Sequence, residues 1–221
     1  MTLLLKTTNL HFQEFSESLK NKLTRPLPGH IAHQSALPPD RKALDIKAFE
    51  GAKTKKAAVL ILIENNQNQA EVIFILRSTY KGTHSGQISF PGGKREKEDT
   101  NYLDTALRET EEEIGIKRSD LEVLGALSPI YIPPSNFMVY PFVAISDKVL
   151  LKKAEEKEVA RIYSLAVEHL FADETLKESD IDHSSGKVYR VPAFNIAGLK
   201  IWGATAMILA ELKHVVADSS P

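Results

Sequence analysis

Polar and apolar positions change rhythm repeatedly along this chain, and each rhythm predicts an element. Between residues 9 and 24, Leu10, Phe12, Phe15, Leu19 and Leu23 recur at helical spacing with polar residues between them, which predicts an amphipathic helix ending at Arg25-Pro26. From there to Ala52, Pro26, Pro28, Pro38 and Pro39 follow no repeat, so an irregular arm is expected. Ala57 to Ile63 is an unbroken apolar run with β-branched Val59, Ile61 and Ile63; a second run, Val72 to Leu76, follows a polar turn at 64–69. Two such runs predict a hairpin whose strands are covered on both faces. A short strand then leads into Gly92-Gly93, a helix is predicted over 100–114, and strands are predicted at Leu121 to Leu127 and Phe137 to Ile145, separated by the proline-marked segment Ile132 to Ser135. Further helical patterns lie at Ser164 to Phe171 and Trp202 to Val216, with short strands between them. Strands flanked by helices on two sides imply an α/β (α+β) protein, a three-layer α/β/α sandwich with a mixed sheet. Residues 1–52 read as a helix with a proline-rich arm, and 53–221 as the working domain.

Composition narrows the partners. A chain of 221 residues suffices for one well-buried core. A formal net charge of −1 lacks the basic excess typical of nucleic-acid binders, so a small-molecule partner is expected and nucleic acid is not. The absence of cysteine excludes disulfides, thiolate metal sites and a cysteine nucleophile. Ala57 to Ile63, the longest apolar stretch, is far shorter than the ~20 residues of a membrane span, and the first residues lack a signal-like apolar region; a cytoplasmic protein with no membrane partner is expected.

The chemistry concentrates in FPGGKREKEDTNYLDTALRETEEEIGI, residues 90–116. On a helix, Glu109, Glu112 and Glu113 stand at i, i+3 and i+4, so their carboxylates project from one face toward a common point. Like charges so close repel one another unless cations sit among them. All-oxygen donors suit a hard cation, Mg²⁺ or alternatively Mn²⁺. Leu103, Ala106, Leu107, Thr110 and Ile114 form a different stripe that can pack on a core. Gly92 and Gly93 supply a turn whose backbone can approach a phosphate or offer a carbonyl to a metal. Arg108, four residues before Glu112, is placed to orient a carboxylate. Asp99 or Thr100 is expected to cap the helix, and Gly115 to end it. Alone, a glutamate-rich helix is usually a solvated face; the ordered arrival of Gly-Gly, Arg-Glu, spaced carboxylates and a terminal glycine argues otherwise.

These residues resemble the Nudix box, G-x5-E-x7-R-E-U-x-E-E-x-G-U with U apolar, running here from Gly93 through Arg108-Glu109-Thr110-Glu111-Glu112-Glu113-Ile114-Gly115-Ile116. Asp99 stands in place of the first Glu, one extra residue precedes Arg108, and Thr110 replaces the apolar U. The upstream stretch ILRSTYKGTHSGQISFPGGK resembles the signature of the coenzyme A pyrophosphatase branch, with Arg77, Ser78, Gly86, Phe90, Pro91, Gly92 and Gly93 matching and Gly82 in place of an Arg.

The resemblance implies a hydrolase in which cations held by Glu109, Glu112, Glu113 and the Gly92 carbonyl activate a water against one phosphorus of a diphosphate. It implies further acid assistance from outside the box, with Glu158 the candidate and Glu155 and Glu156 its rivals. It also implies substrate contacts from Arg77, Ser78, Lys81, Gly92 and Gly93, with Lys81 serving for the Arg absent at Gly82. The leading substrate is coenzyme A or an acyl derivative, giving a phosphopantetheine product and 3′,5′-ADP. ADP-ribose, NADH or a dinucleotide is the alternative, and a nucleotide-sensing module without catalysis is a third reading, which the intact glutamates oppose. Family precedent adds a homodimer. The seven histidines show no metal-ligand spacing, His84 being the one inside the signature. Trp202 reads as core.

Overall fold

The computed structural model describes residues 11–38, 49, 54–79, 86–182, 186 and 188–218. Lys81, Gly82 and His84 lie outside the described residues.

The hairpin is longer than its apolar runs. Strand β1, Lys55–Asn66, and β2, Gln69–Arg77, join through Gln67 and Asn68, both at positive φ, the combination that matches the natural twist of a two-residue hairpin. Their pairing holds only from Ile63↔Val72 to Asn66↔Gln69. Beyond that the strands part, and the next segment fills the wedge between them. Strand β3, Ile88–Ser89, adds to β2, and β4, Gly92–Lys94, adds to β1. The Gly-Gly turn is thereby fixed at the point where the sheet opens.

The other edge of β1 pairs in parallel with β7, Phe137–Ser146, along ten residues from Lys55↔Phe137 to Glu64↔Ser146. Strands β5, Glu122–Ala126, and β6, Ile130–Ile132, pair with β7, and β8, Val159–Ala166, pairs with β2, completing a mixed eight-stranded sheet. A three-stranded sheet of β9, Leu176–Asp182, β10, Val188–Ile196, and β11, Leu199–Trp202, follows. Among the described residues the α-helices include α1, Phe12–Leu23; α2, His30–His33; α3, Tyr102–Ile114; α4, Val167–Phe171; and α5, Gly203–Ala217.

Alternation along β1 divides the core. Ala58, Leu60 and Leu62 face α3 and pack with Ala106, Leu107 and Ile114, whereas Ala57, Ile61 and Ile63 face the larger cluster that contains α1 and α5. This is the expected α/β/α layering. The first segment takes part in it: Phe12, Phe15, Leu19 and Leu23 of α1 belong to the larger cluster, and the Asn68 side chain of the hairpin turn accepts the Phe12 amide at 3.0 Å. The arm is tied to α5, where the fully buried Glu211 accepts the Gly29 amide at 3.0 Å and pairs with the His33 ring at 3.0 Å, while also accepting the Ser128 amide at 3.1 Å.

Two expectations are corrected. The helical pattern at Ser164 to Phe171 is strand as far as Ala166, because Ser164, Leu165 and Ala166 pair with Ile73, Val72 and Glu71; only Val167–Phe171 is helix. Trp202 ends β11 rather than beginning a helix.

Candidate active site

Helix α3 begins at Tyr102. Its cap is Asn101, whose side chain accepts the Asp104 amide at 2.9 Å, and not Asp99 or Thr100. Asp99 is buried beneath the helix start and has other work. Its carboxylate accepts Arg108 Nε at 2.9 Å and Nη2 at 3.1 Å, together with the Glu96 amide at 2.9 Å and the Thr105 hydroxyl at 2.8 Å. These bonds, led by those from Arg108, hold Asp99 far below the usual carboxylate range and raise Arg108 further above its own. Arg108 so fixed reaches Glu112 at 2.8 Å, Glu109 at 3.0 Å and the Lys94 carbonyl at 3.2 Å. Gly115 ends the helix in the left-handed region, at φ 73°. Thr110, fully buried at an apolar position of the motif, satisfies its hydroxyl with the Ala106 carbonyl at 2.7 Å.

Two of the three expected carboxylates flank the Gly-Gly turn. Glu113, 1% exposed, accepts the Gly92 amide at 2.8 Å and Arg77 Nη1 at 3.2 Å. Burial pushes its pKa up to about 7, against the pull of the Gly92 amide and Arg77 and with reinforcement from Glu109 and Glu158. Glu109 is raised too, chiefly by burial and against Arg108, with Glu112 and Glu158 adding repulsion. Its carboxylate lies on Gly93 so closely that a Cβ there would stand 2.4 Å from Glu109 Cδ. Glu112 departs from the expected common point: its side chain is 58% exposed and turned to Arg108. The reason is electrostatic, since a guanidinium is a better neighbour than two carboxylates. Among the described residues no group of three acidic or histidine side chains forms a ready metal cage.

The remaining expected residues fall around this turn. Glu158, exposed just before β8, is an acid outside the helix whose charge raises both Glu109 and Glu113. Its chain position is tied down, because its carbonyl accepts the Ser78 amide at 2.8 Å and the Glu155 amide donates to the Glu113 carbonyl at 2.9 Å. The Ser78 hydroxyl bonds the Glu156 carbonyl at 3.2 Å. Arg77, expected on a substrate phosphate, pairs with Glu113 while also lining the adjoining cleft.

That cleft, about 520 Å³, opens on the β1 face opposite α3. Its floor is Lys55, Ala57 and Val59 with Phe137 and Val139, and its far wall is Trp202 with Thr205 and Ile208 of α5. The Thr205 hydroxyl donates to the Ile88 carbonyl at 3.2 Å, tying that wall to β3. Lys55, Lys94, Phe137 and Trp202 were missed as site residues. Trp202, read as core, is half-buried and faces the cleft. The register of β1 against β7, which no local pattern reveals, brings Phe137 beside Lys55.

Comparison with known proteins agrees with this geometry. Residues 54–185 match the model of the family described as NUDIX domain. The chain is similar to the uncharacterised Nudix hydrolase NudL of Yersinia enterocolitica, 34% identical over 75% of this chain and 83% of that one. It is also similar to the chloroplastic Nudix hydrolase 22 of Arabidopsis thaliana, 33% identical over 95% of this chain and 68% of that one. The crystal structure of the M. smegmatis Nudix hydrolase RenU shares the fold, with a TM-score of 0.53 at 16% identity, over 76% of this chain and 89% of that one. The family model and these relatives make the chain a Nudix hydrolase of a nucleoside diphosphate derivative. The chain belongs to the Nudix family.

Proposed function

We propose that this protein is a divalent-cation-dependent diphosphatase acting on coenzyme A or an acyl derivative, releasing a phosphopantetheine product and 3′,5′-ADP. The observation that carries the reading is the convergence of the Glu109 and Glu113 carboxylates on Gly92-Gly93, beside a cleft lined by Lys55, Arg77 and Lys94. The residues fit a hard cation. The donors are carboxylate oxygens, Gly93 leaves open the space that Glu109 fills, and a carboxylate raised by burial takes up a proton or a cation.

Glu109, Glu113, Glu112 and the Gly92 carbonyl would hold Mg²⁺ or Mn²⁺. When bound, such a cation supplies positive charge that draws electrons from the phosphoryl oxygens and eases loss of a proton from water. The protein does the rest. Arg108, fixed by Asp99, sets the rotamers of Glu109 and Glu112. Glu158, exposed and close enough for its charge to raise both Glu109 and Glu113, accepts the proton released by the attacking water. Gly92 and Gly93, bare of side chains, let the diphosphate approach the backbone, and Arg77 turns one face to Glu113 and another to the cleft. Ser78 and Lys81 complete the proposed substrate contacts. Water adds to one phosphorus as the bridging oxygen leaves with the other phosphate, so no covalent intermediate on the protein is needed.

The test is a product-resolved hydrolysis screen with Mg²⁺ and Mn²⁺ over coenzyme A, NADH, ADP-ribose and diadenosine compounds. Phosphopantetheine and 3′,5′-ADP from coenzyme A, formed faster than products from the others, is the expected result. Faster cleavage of ADP-ribose or a dinucleotide would overturn the substrate assignment.

A further inference from the structure

The cleft floor carries charges that the reaction does not use. Strand alternation places Lys55 on the same face as Ala57 and Val59, and Lys94 is the antiparallel partner of Ala57 on that face. Lys55 and Lys94 are thus diagonal neighbours on adjacent strands, ~7–8 Å apart at the backbone, close enough for two flexible ammonium stems to meet over one group. Phe137, the parallel neighbour of Lys55, holds that ammonium 5.4 Å from its ring centroid.

Both lysines are exposed, and among the described residues neither ammonium has a carboxylate partner, although the chain as a whole has 29 acidic and 28 basic residues. Among the described residues the cleft lining contains Lys55, Arg77 and Lys94 and no carboxylate, while Glu109, Glu113 and Glu158 gather at its edge. Arg77 is already engaged with Glu113. Among the described residues charge is therefore segregated within one site, with acids where cations would sit and ammoniums lacking a carboxylate on an apolar floor a short way off.

We infer that Lys55 and Lys94 seat a second anionic group of the substrate, a phosphate monoester remote from the diphosphate being cut. They make the site selective for nucleoside diphosphate compounds that carry this extra phosphate. The inference rests on the reading of the neighbouring turn as a diphosphate-cleaving centre. A contact to a non-reacting phosphate contributes binding that is uniform between ground and transition state, so it acts on KM and leaves kcat alone.

The experiment is calorimetric binding of 3′,5′-ADP and of 5′-AMP, without added metal, to the full chain and to Lys55→Ala, Lys94→Ala and the double variant. A kinetic arm compares coenzyme A with dephospho-coenzyme A. The wild type should prefer 3′,5′-ADP by roughly ten- to a hundredfold, the scale of charge-assisted contacts. Each single variant should lower that preference and the double variant abolish it, with AMP affinity unchanged. In the kinetic arm KM for coenzyme A should rise and kcat should hold. Equal binding of the two nucleotides by the wild type, or a preference that survives in the double variant, would overturn the inference. Lysine-dependent preference for 3′,5′-ADP in a protein that cleaves no diphosphate would uphold the seat and overturn the hydrolase reading, so the two fail separately.

Discussion

The carboxylate of Glu109 rests against the α-carbon of Gly93, where a Cβ would stand 2.4 Å from its Cδ and from Oε2. The obstacle to a side chain at this position is thus the mobile end of another side chain. Gly93→Ala should displace Glu109 while costing little stability, within about 1 kcal/mol, and turnover should fall at least ~tenfold, because the displaced group lies at the proposed reacting centre. Gly92→Ala should behave differently. Its Cβ would meet the Ala58 carbonyl at 2.3 Å from a backbone φ of +144°, so the strand itself must shift and the melting temperature should drop markedly. Melting curves and kcat on both variants check the contrast.

Asp99 links the site to acid stability. Its folded pKa lies below its unfolded value of about 3.9, so its contribution is complete above that value and is lost as the pH falls through the folded pKa. Asp99→Asn should therefore lose stability at neutral pH, by ~1.5–3 kcal/mol for the hydrogen bonds to a charged group. Its stability should also vary less with pH from about pH 4 downward than that of the wild type. Urea unfolding across that range measures both.

The buried carboxylate of Glu64 predicts a larger effect far from the Gly-Gly turn. At 1% exposure it accepts Lys152 Nζ at 2.6 Å, the Leu150 amide at 2.9 Å and the Ser164 hydroxyl at 3.1 Å. Glu64→Ala leaves the Lys152 ammonium without its partner and should cost about 3–5 kcal/mol. Adding Lys152→Met should recover part of the loss, and a double-mutant cycle by urea unfolding gives the coupling.

Much of this arrangement is legible in the sequence where periodicity and local spacing suffice. The hairpin, the packing stripe of α3, the pairing of Arg108 with Glu112 and the glycine end at Gly115 follow from neighbours within a few residues. What could not be read depends on tertiary register. Ser164 to Ala166 became strand because β2 offered an open edge. Asp99 does not cap the helix because Arg108, from the second turn of α3, engages its carboxylate. Lys55, Phe137 and Trp202 reached one cleft only through the parallel β1–β7 pairing and the closure of α5 over β3. His33, one of the scattered histidines, proved to be a buried partner of Glu211, a contact 178 residues apart in sequence.

The most direct test of the central claim is the turnover of Glu112→Gln at saturating Mg²⁺, with coenzyme A as substrate. Glu112 is the most exposed of the three glutamates, so its substitution leaves the core untouched and separates chemistry from folding. The account predicts a fall in kcat of at least about a hundredfold with an unchanged melting temperature, since Glu112, turned to Arg108 in this arrangement, is proposed to join Glu109 and Glu113 on the cation. Near-normal turnover in that variant would contradict the assignment of the α3 carboxylates as the cation-holding set.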